Sequence, residues 1–204
     1  MNRVFDFIMN VDEETKLMFS KDIASLIFDM YYTKYWEDNS MSFTRSGVDF
    51  HTEVNQLRPE SVLDVGCGNN NFKDKIYDLV GIDPFNKKAD HMKTLEQYSV
   101  ENPDVQFDVL LFLDSMNYGR RPDILHKFSI IDKLTKKGGH QFWRVNKGVE
   151  ESETFPLLGL VDSYEWEEKF VKELAEYNGY ELKEMCEETN SSGEKRLFFC
   201  FYKY

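Results

Sequence analysis

Residues 62–72 read Val-Leu-Asp-Val-Gly-Cys-Gly-Asn-Asn-Asn-Phe and carry the strongest indication of the fold. The apolar start of this stretch predicts a short, buried parallel strand. Gly66 and Gly68 then permit a backbone path that is closed to residues with a Cβ atom, so the main chain can approach a ligand closely. The asparagines that follow tolerate positive φ, and we expect them to cap a short helix over residues 72–78.

A second apolar run, Leu79-Val80-Gly81-Ile82, ends on Asp83. The order strand, glycine turn, helix, strand, acid is typical of nucleotide-binding βαβ units, in which the last carboxylate binds ribose hydroxyls. A dinucleotide-binding dehydrogenase is one interpretation, but its third glycine would fall at Asn71, where a side chain hinders packing beside a pyrophosphate. Another is a βαβ unit whose glycines only make a tight turn.

The stretch resembles the first motif of class I S-adenosylmethionine-dependent methyltransferases, which is an acid, one residue and Gly-x-Gly-x-Gly. Asn70 stands here in place of the third glycine and is expected to crowd the turn. The resemblance implies S-adenosylmethionine as cofactor, with the glycines facing its methionine part, Asp64 orienting the loop or the amino group, and Asp83 binding the ribose. The cofactor site that it implies comprises Asp64, Gly66, Cys67, Gly68, Asn70, Asp83, Pro84 and Asp114.

The resemblance covers residues 58–204 in order and spacing, and it implies an α/β fold. We expect a Rossmann-like, doubly wound, mostly parallel sheet that finishes in an antiparallel hairpin. After Asp83 the sequence predicts a strand at Phe107–Leu113 and a helix that begins at Pro122 and ends at Gly138-Gly139, with Lys133, Lys136 and Lys137 near its end. A strand at His140–Val145 and a helix at Tyr164–Tyr177 are predicted next. The last predicted elements are strands at Tyr180–Glu188 and Lys195–Tyr202, joined through Asn190–Gly193. Only Ala89–Leu95 offers a third strand after Asp83, and the family implies adenine contacts there, from Leu95, Glu96 or Gln97.

Residues 1–57 precede the first core strand and are expected to form a helical N-terminal cap. Ser20 can cap a helix with an apolar stripe, and a second helix is predicted over Gly47–Leu57. The first helix covers the sheet, contacts a partner chain, or acts as a lid whose aromatic residues close over the cofactor near Asp114 and Tyr118. The aromatic residues proposed for the lid are Tyr31, Tyr35 and Trp36.

Catalytic candidates lie where ligands bind in open α/β sheets, beyond the carboxyl ends of the strands. Asp114 is a candidate general base, and Asn117 and Tyr118 are candidate orienting groups. Arg144 can hold a substrate carboxylate or phosphate, or it can pair with a nearby acid such as Glu150 or Glu151. The amino-methyltransferase motif Asn/Asp-Pro-Pro-Tyr/Phe and a Pro-Cys nucleophile are both missing from this region, which disfavours methylation of nucleobases.

Composition narrows the function classes further. A net charge of −12 over 204 residues would repel a phosphate backbone, so direct nucleic-acid binding is disfavoured. The spacing of the three cysteines and four histidines predicts no metal site. We expect no membrane span and a cytoplasmic protein.

Two functions remain open. The first is an S-adenosylmethionine-dependent methyltransferase acting on a small molecule or a protein side chain. The second is a methyltransferase-like protein without catalysis that serves a larger assembly. The segments Gly81–Lys88 and Phe142–Asn146 weakly resemble short methyltransferase-like proteins of tailed phages, which implies a virion location for the second function.

Overall fold

A computed structural model describes residues 20–38, 50–147, 156–189 and 195–204. The helices are α1 (Ser20–Asp38), α2 (His51–Gln56), α3 (Leu95–Glu101), α4 (Arg121–Leu134) and α5 (Glu168–Asn178), with a 3-10 helix at Pro156–Leu160. The strands are β1 (Val62–Val65), β2 (Leu79–Ile82), β3 (Phe107–Leu113), β4 (Thr135–Asn146), β5 (Tyr180–Thr189) and β6 (Lys195–Lys203).

The six strands form one sheet in the order β2-β1-β3-β4-β6-β5. Strands β1 to β4 run parallel to one another, whereas β6 runs antiparallel to both β4 and β5. The expected mostly parallel sheet with a C-terminal antiparallel hairpin is therefore confirmed. Since the carboxyl ends of β1 to β4 meet at one edge, the loops that follow them lie on the same side of the sheet, and we call the region between these loops the crevice.

Both faces of β1, β2 and β3 are largely buried, as their apolar residues predict. Adjacent residues of β1 face opposite sides of the sheet and belong to different cores. Leu63 packs on the side of α3, α4 and α5, and Val62 packs on the side of α2. Trp143 is the centre of the first core, where its ring stacks against Phe112 at 4.2 Å and against Phe199 at 5.5 Å between centroids. This rigid interior fixes the strand ends that form the crevice.

The region after β2 differs from the sequence prediction in two ways. Residues 72–78 form turns in place of the expected helix, and the predicted strand at Ala89–Leu95 is wrong. His91 makes a single bridge to Ile82, and α3 already begins at Leu95. The segment is too polar to supply the apolar face that a further strand would bury.

Because no strand forms at residues 89–95, β2 is the edge strand of the sheet, and polar side chains pair its exposed backbone groups. The Asp90 carboxylate accepts hydrogen bonds from the Gly81 amide at 2.8 Å and from Lys73 Nζ at 2.9 Å. Lys73 Nζ also donates to the Leu79 carbonyl at 2.6 Å. Burial raises the pKa of Asp90, but these hydrogen bonds outweigh it and leave that pKa below its usual value. Pairing the edge groups in this way prevents them from recruiting another strand.

The boundary between α4 and β4 also needs correction. The helix ends at Leu134, and Thr135 already belongs to the strand, so Gly138-Gly139 lies inside β4 and does not end the helix. Lys136 therefore does not sit at a helix terminus; its Nζ donates to Asp108 Oδ1 at 2.9 Å. The pairing of β3 with β4 shifts between Phe107 and Val109, where this irregular segment joins the sheet.

Other elements agree with their predicted types and differ at their ends. Helix α5 starts at Glu168, four residues later than expected, and Gly179 ends it in the left-handed conformation at φ +70°. The hairpin turn Asn190–Gly193, the start of the helix at Gly47 and the candidate ion partners Glu150 and Glu151 lie outside the described residues. Within the described ranges, no helix is both long and apolar enough to cross a bilayer.

Candidate functional site

The glycine turn, residues 66–71, folds over the end of β2. Gly66 and Gly68 have φ of +74° and +53°, the left-handed conformation that glycine adopts without strain. The amides of Gly66 and Cys67 donate to the Ile82 carbonyl at 2.8 and 3.1 Å. A Cβ atom on Gly66 would lie 2.4 Å from Ser115 Cβ, so the space at this glycine admits the loop that follows β3.

Asn70 takes the left-handed conformation predicted for it, with φ +56°, and its side chain turns toward β2. Its Nδ2 donates to the Lys88 carbonyl at 3.2 Å and to Asp90 Oδ2 at 3.3 Å. A Cβ atom on Gly81 would lie 2.4 Å from Asn70 Oδ1 and 2.9 Å from Cys67 Sγ. Gly81 thus makes room for both side chains, and Asn70 is accommodated beside β2.

Asp64 lies on β1 and is only 3% exposed. In the described part of the chain, no ion pair or side-chain hydrogen bond reaches its carboxylate. Burial, followed by the nearby charge of Asp83, raises its pKa to about 7. Such an acid keeps its charge at neutral pH most readily when a cationic group approaches it. Burial also raises the pKa of the Cys67 thiol, and the carboxylates of Asp64 and Asp83 add to this effect, so that thiol is neutral.

Asp83 follows β2, and its carboxylate accepts hydrogen bonds from three backbone amides. Its Oδ2 accepts from the Gly68 amide at 3.0 Å, and its Oδ1 accepts from the amides of Phe85 and Asn86 at 2.8 and 3.0 Å. Burial raises its pKa, and the three amides counteract the shift. Because a carboxylate offers about four acceptor positions, little capacity remains for a ribose diol.

Aromatic rings from α1 close one side of the crevice. Phe28 lies 4.8 Å from Tyr118 and 6.4 Å from Phe85, between ring centroids, and Tyr32 stacks on Phe85 at 5.8 Å. Phe85 is next to Pro84, which is half-buried after Asp83. Phe28, one helical turn before Tyr31, contacts Tyr118, and the closing of Tyr31 over the cofactor stays a prediction.

The rest of the predicted lid is only partly described. Tyr31 packs edge-on against Tyr32 at 5.0 Å, and the side chains of Tyr35 and Trp36 lie outside the described residues. The 3-10 helix supports α1 through Leu157 and Leu158, in a third apolar cluster that also includes Tyr118.

Asp114 begins the loop after β3 with φ +61° and lies between two arginines. Arg144 donates to its Oδ2 from Nε at 3.2 Å and also from Nη2. Arg196 Nε lies 3.3 Å from its Oδ1. Arg144 therefore pairs with Asp114, and its role in holding a substrate carboxylate or phosphate stays a prediction. Both carboxylate oxygens of Asp114 are in contact with arginines, and its role as a general base stays a prediction.

Asn117 also has a structural role in this loop. It is 2% exposed, its Nδ2 donates to the Asp114 carbonyl at 3.1 Å, and its Oδ1 accepts from the Asn146 amide at 2.8 Å. Both ends of its side chain are therefore used to connect β3 with β4. Tyr118 is 8% exposed and contributes its ring to the aromatic side of the crevice.

The suggested adenine contacts stay a prediction, and two of the residues named for them have structural roles. Leu95 is 4% exposed within the core, and the Gln97 side chain accepts from the Thr94 amide at 2.9 Å as part of the N-terminal cap of α3. Glu96 is half-buried on the same turn. Three residues that the sequence analysis missed, Phe28, Phe85 and Arg196, belong to the crevice. Among the described residues, no group of three His, Cys, Asp or Glu side chains is placed to hold a metal ion.

Solved structures that resemble this fold include several methyltransferases. The 1,6-didemethyltoxoflavin-N1-methyltransferase of Burkholderia thailandensis matches with a TM-score of 0.65 at 13% identity, over 88% of each chain. The N-methyltransferase NodS of Bradyrhizobium japonicum WM9 matches with a TM-score of 0.60 at 15% identity, over 84% of this chain and 98% of that chain.

Magnesium protoporphyrin IX methyltransferase (ChlM) of Synechocystis PCC 6803 matches with a TM-score of 0.55 at 12% identity, over 77% of this chain and 76% of that chain. No protein-family model and no curated protein matches the sequence. The likeness therefore establishes the fold, which is that of the class I methyltransferases.

Proposed function

We propose that this protein binds S-adenosylmethionine in the crevice and transfers its methyl group to a small molecule or a protein side chain. The observation that carries the proposal is the buried Asp64, which has no cationic partner among the described residues and lies beside the charge of Asp83. Two neighbouring buried acids are costly unless a cation neutralises them. The amino group and the sulfonium of S-adenosylmethionine are both cationic.

The fit of this cofactor rests on three parts of the crevice. The glycine turn would bring the backbone close to the ligand, Asp64 would pair with its amino group, and the rings of Phe28, Phe85 and Tyr118 would offer faces that attract a sulfonium. Asp83 fits less well because the backbone occupies most of its acceptor positions. When bound, the cofactor supplies an electrophilic methyl group.

The residues of this chain contribute mainly alignment and exclusion of water. Methyl transfer is an in-line displacement, which benefits from a fixed geometry and a dry site. Helix α1 and the 3-10 helix cover the crevice, and Asp114 positions the arginines beside it. We propose that the N-terminal region, residues 1–57, acts as this cap in a cytoplasmic enzyme whose acidic surface disfavours nucleic acids as substrates.

The test is transfer of label from tritiated S-adenosylmethionine to fractions of a cell extract. We expect wild-type protein to label an acceptor and Asp64→Asn to label none, because the amide lacks the charge that holds the cofactor. Asp104→Asn, which alters an exposed acid away from the crevice, is the matched control and should behave as wild type. Equal labelling by wild type and Asp64→Asn would contradict the proposal.

The hydrogen bonds of Asp83 favour a second candidate function, a binding component of a larger assembly, for example in a virion. In that case Asp83 would only connect the glycine turn to the 85–86 loop, and the crevice would need no cofactor. Stable stoichiometric association with a large complex, together with no methyl transfer to any fraction, would support this function over the enzyme.

A further inference from the structure

A cavity of about 310 Å³ lies at the edge of the sheet opposite the crevice, and we call it the amino-edge cavity. It is lined by residues 57–60, which precede β1, by Asp108 and Val109 near the start of β3, and by Gly138 and His140 in the first half of β4. Val109 pairs with both Val62 and His140, so β1, β3 and β4 all enter the sheet here. The cavity is therefore separate from the loops at the carboxyl ends of these strands.

Arg58 brings an unpaired charge and a strained backbone to the amino-edge cavity. Within the described ranges, no carboxylate or other acceptor contacts its guanidinium. Its φ is +52°, and it directly follows the C-terminal cap of α2, where glycine is the preferred residue. A residue with a Cβ atom is strained in this conformation, and such residues concentrate at functional sites. An arginine thus stands where a glycine would be unstrained.

The two acids of the amino-edge cavity differ in how far they are neutralised. The Asp108 carboxylate accepts from Lys136 Nζ at 2.9 Å. It also accepts from the amides of Glu60 and Ser61, each at 2.9 Å, so its charge is compensated. The Glu60 side chain is exposed and makes no ion pair with any described residue. Among the described residues, the lining therefore carries one unpaired cation, Arg58, and one unpaired anion, Glu60.

The remaining side chains of the lining form an uncharged surface. Leu57, Pro59 and Val109 are apolar. Burial, and then the nearby charge of Lys183, lowers the pKa of His140, so its ring is neutral at neutral pH. A cavity of about 150 Å³ admits benzene, so about 310 Å³ has room for roughly twelve heavy atoms.

We propose that the amino-edge cavity binds a small zwitterion with an apolar side chain, the chemistry of a free apolar amino acid. The carboxylate of this ligand pairs with Arg58, whose planar fork suits that group, and its ammonium group pairs with Glu60. Its side chain packs against the uncharged surface beside His140. Binding here is independent of the crevice and therefore of the proposed methyl transfer.

The test is a titration of the isotope-labelled full chain with L-phenylalanine, followed by NMR chemical shifts of the backbone amides. We expect saturable shifts at Gly138 and His140, and none at the glycine turn. Phenylacetate lacks the ammonium group, and phenethylamine lacks the carboxylate. Each should bind about tenfold more weakly than phenylalanine or worse, because one charge-assisted contact is lost. This comparison uses wild type alone and needs no variant to fold.

Variants separate ligand binding from a structural role of Arg58. Arg58→Gly should bind L-phenylalanine about tenfold more weakly or worse, with a melting temperature equal to that of wild type or higher, because the strain is relieved. Arg121→Gln, which removes an exposed arginine that pairs with Glu173, is the control and should bind as wild type does.

Three results would each overturn the proposal. An arginine that only complements the dipole of α2 predicts the same affinity for L-phenylalanine in Arg58→Gly as in wild type. Equal affinities of wild type for phenylacetate and phenylalanine would show that no ammonium group is recognised. No saturable shift at Gly138 and His140 in wild type would show that the cavity binds no such ligand.

Discussion

The Asp83 carboxylate accepts a hydrogen bond from the Gly68 amide at 3.0 Å, which ties the end of β2 to the glycine turn after β1. The other oxygen holds the amides of Phe85 and Asn86. One side chain therefore organises both loops around the crevice. The arrangement makes Asp83 a structural residue as well as a candidate ligand for the cofactor.

Replacing Asp83 should therefore reduce both stability and cofactor binding. Asp83→Asn leaves one acceptor oxygen for three amides, and we expect the free energy of unfolding to fall by about 2–3 kcal/mol, since a hydrogen bond to a charged group contributes about 1.5–3 kcal/mol. Urea unfolding measures this loss, with Asp104→Asn as the exposed control. Equal stability of the two variants would show that the Asp83 bonds contribute little.

Asp64 makes stability depend on pH. Its pKa is about 7 in the folded protein and near 3.8 when exposed, so the folded state holds the extra proton between these values. Stability is thus lost as pH rises from about 4 to 7, by up to about 4 kcal/mol at about 1.4 kcal/mol per unit.

Asp64→Asn removes this dependence because its amide does not titrate. The free energy of unfolding of the variant minus that of wild type should increase from pH 4 to pH 8, as measured by urea unfolding without ligand. A difference that stays constant with pH would contradict the environment described for Asp64.

Gly81 and Asn70 should be coupled. A methyl group in Gly81→Ala would meet Asn70 Oδ1 at 2.4 Å, and overpacking of this kind costs about 1–3 kcal/mol. Asn70→Gly removes the nearest clash, so we expect the double variant to recover part of the loss in a double-mutant cycle. Strictly additive effects would argue that the two side chains do not compete for the same space.

The aromatic contacts of α1 predict a role for Phe28 in ligand binding. Phe28→Ala removes ring contacts with Tyr118 and Phe85, which at about 1 kcal/mol each should weaken binding of S-adenosylhomocysteine about tenfold or more. Leu26→Ala, on the same helix at a residue 39% exposed, is the control. Equal affinities for the two variants would indicate that α1 covers the sheet without closing over the ligand.

Much of the fold follows from local patterns in the sequence. The apolar run Phe107–Leu113 and the glycine turn identify β3 and the β1 loop, because buried parallel strands and left-handed backbone leave clear signals. Local sequence patterns do not predict the hydrogen bonds by which Asp90 pairs the edge of β2. These bonds join Asp90 to Lys73 and Gly81, which are distant from it in the sequence.

The sequence predicts which residues lie around the crevice, but it does not predict which residues they contact. The predicted strands place Asp64, Asp83, Asp114 and Arg144 at or near their carboxyl ends. The residues that contact these side chains come in part from segments that are distant in the sequence. Arg196 lies 82 residues after Asp114 and reaches it only through the antiparallel pairing of β6 with β4. Phe28 reaches Tyr118 because the 3-10 helix supports α1, a packing relation without a sequence motif.

The most direct test of the central claim, that the crevice binds S-adenosylmethionine, is isothermal titration calorimetry of the full chain with S-adenosylhomocysteine at pH 8, where Asp64 is ionised. We predict saturable binding at one site per chain with a dissociation constant below about 100 μM, a free energy near −5.5 kcal/mol or stronger. Asp64→Asn should bind much more weakly. If wild type shows no measurable binding at about 1 mM ligand, its binding free energy is weaker than about −4 kcal/mol, and the claim is contradicted.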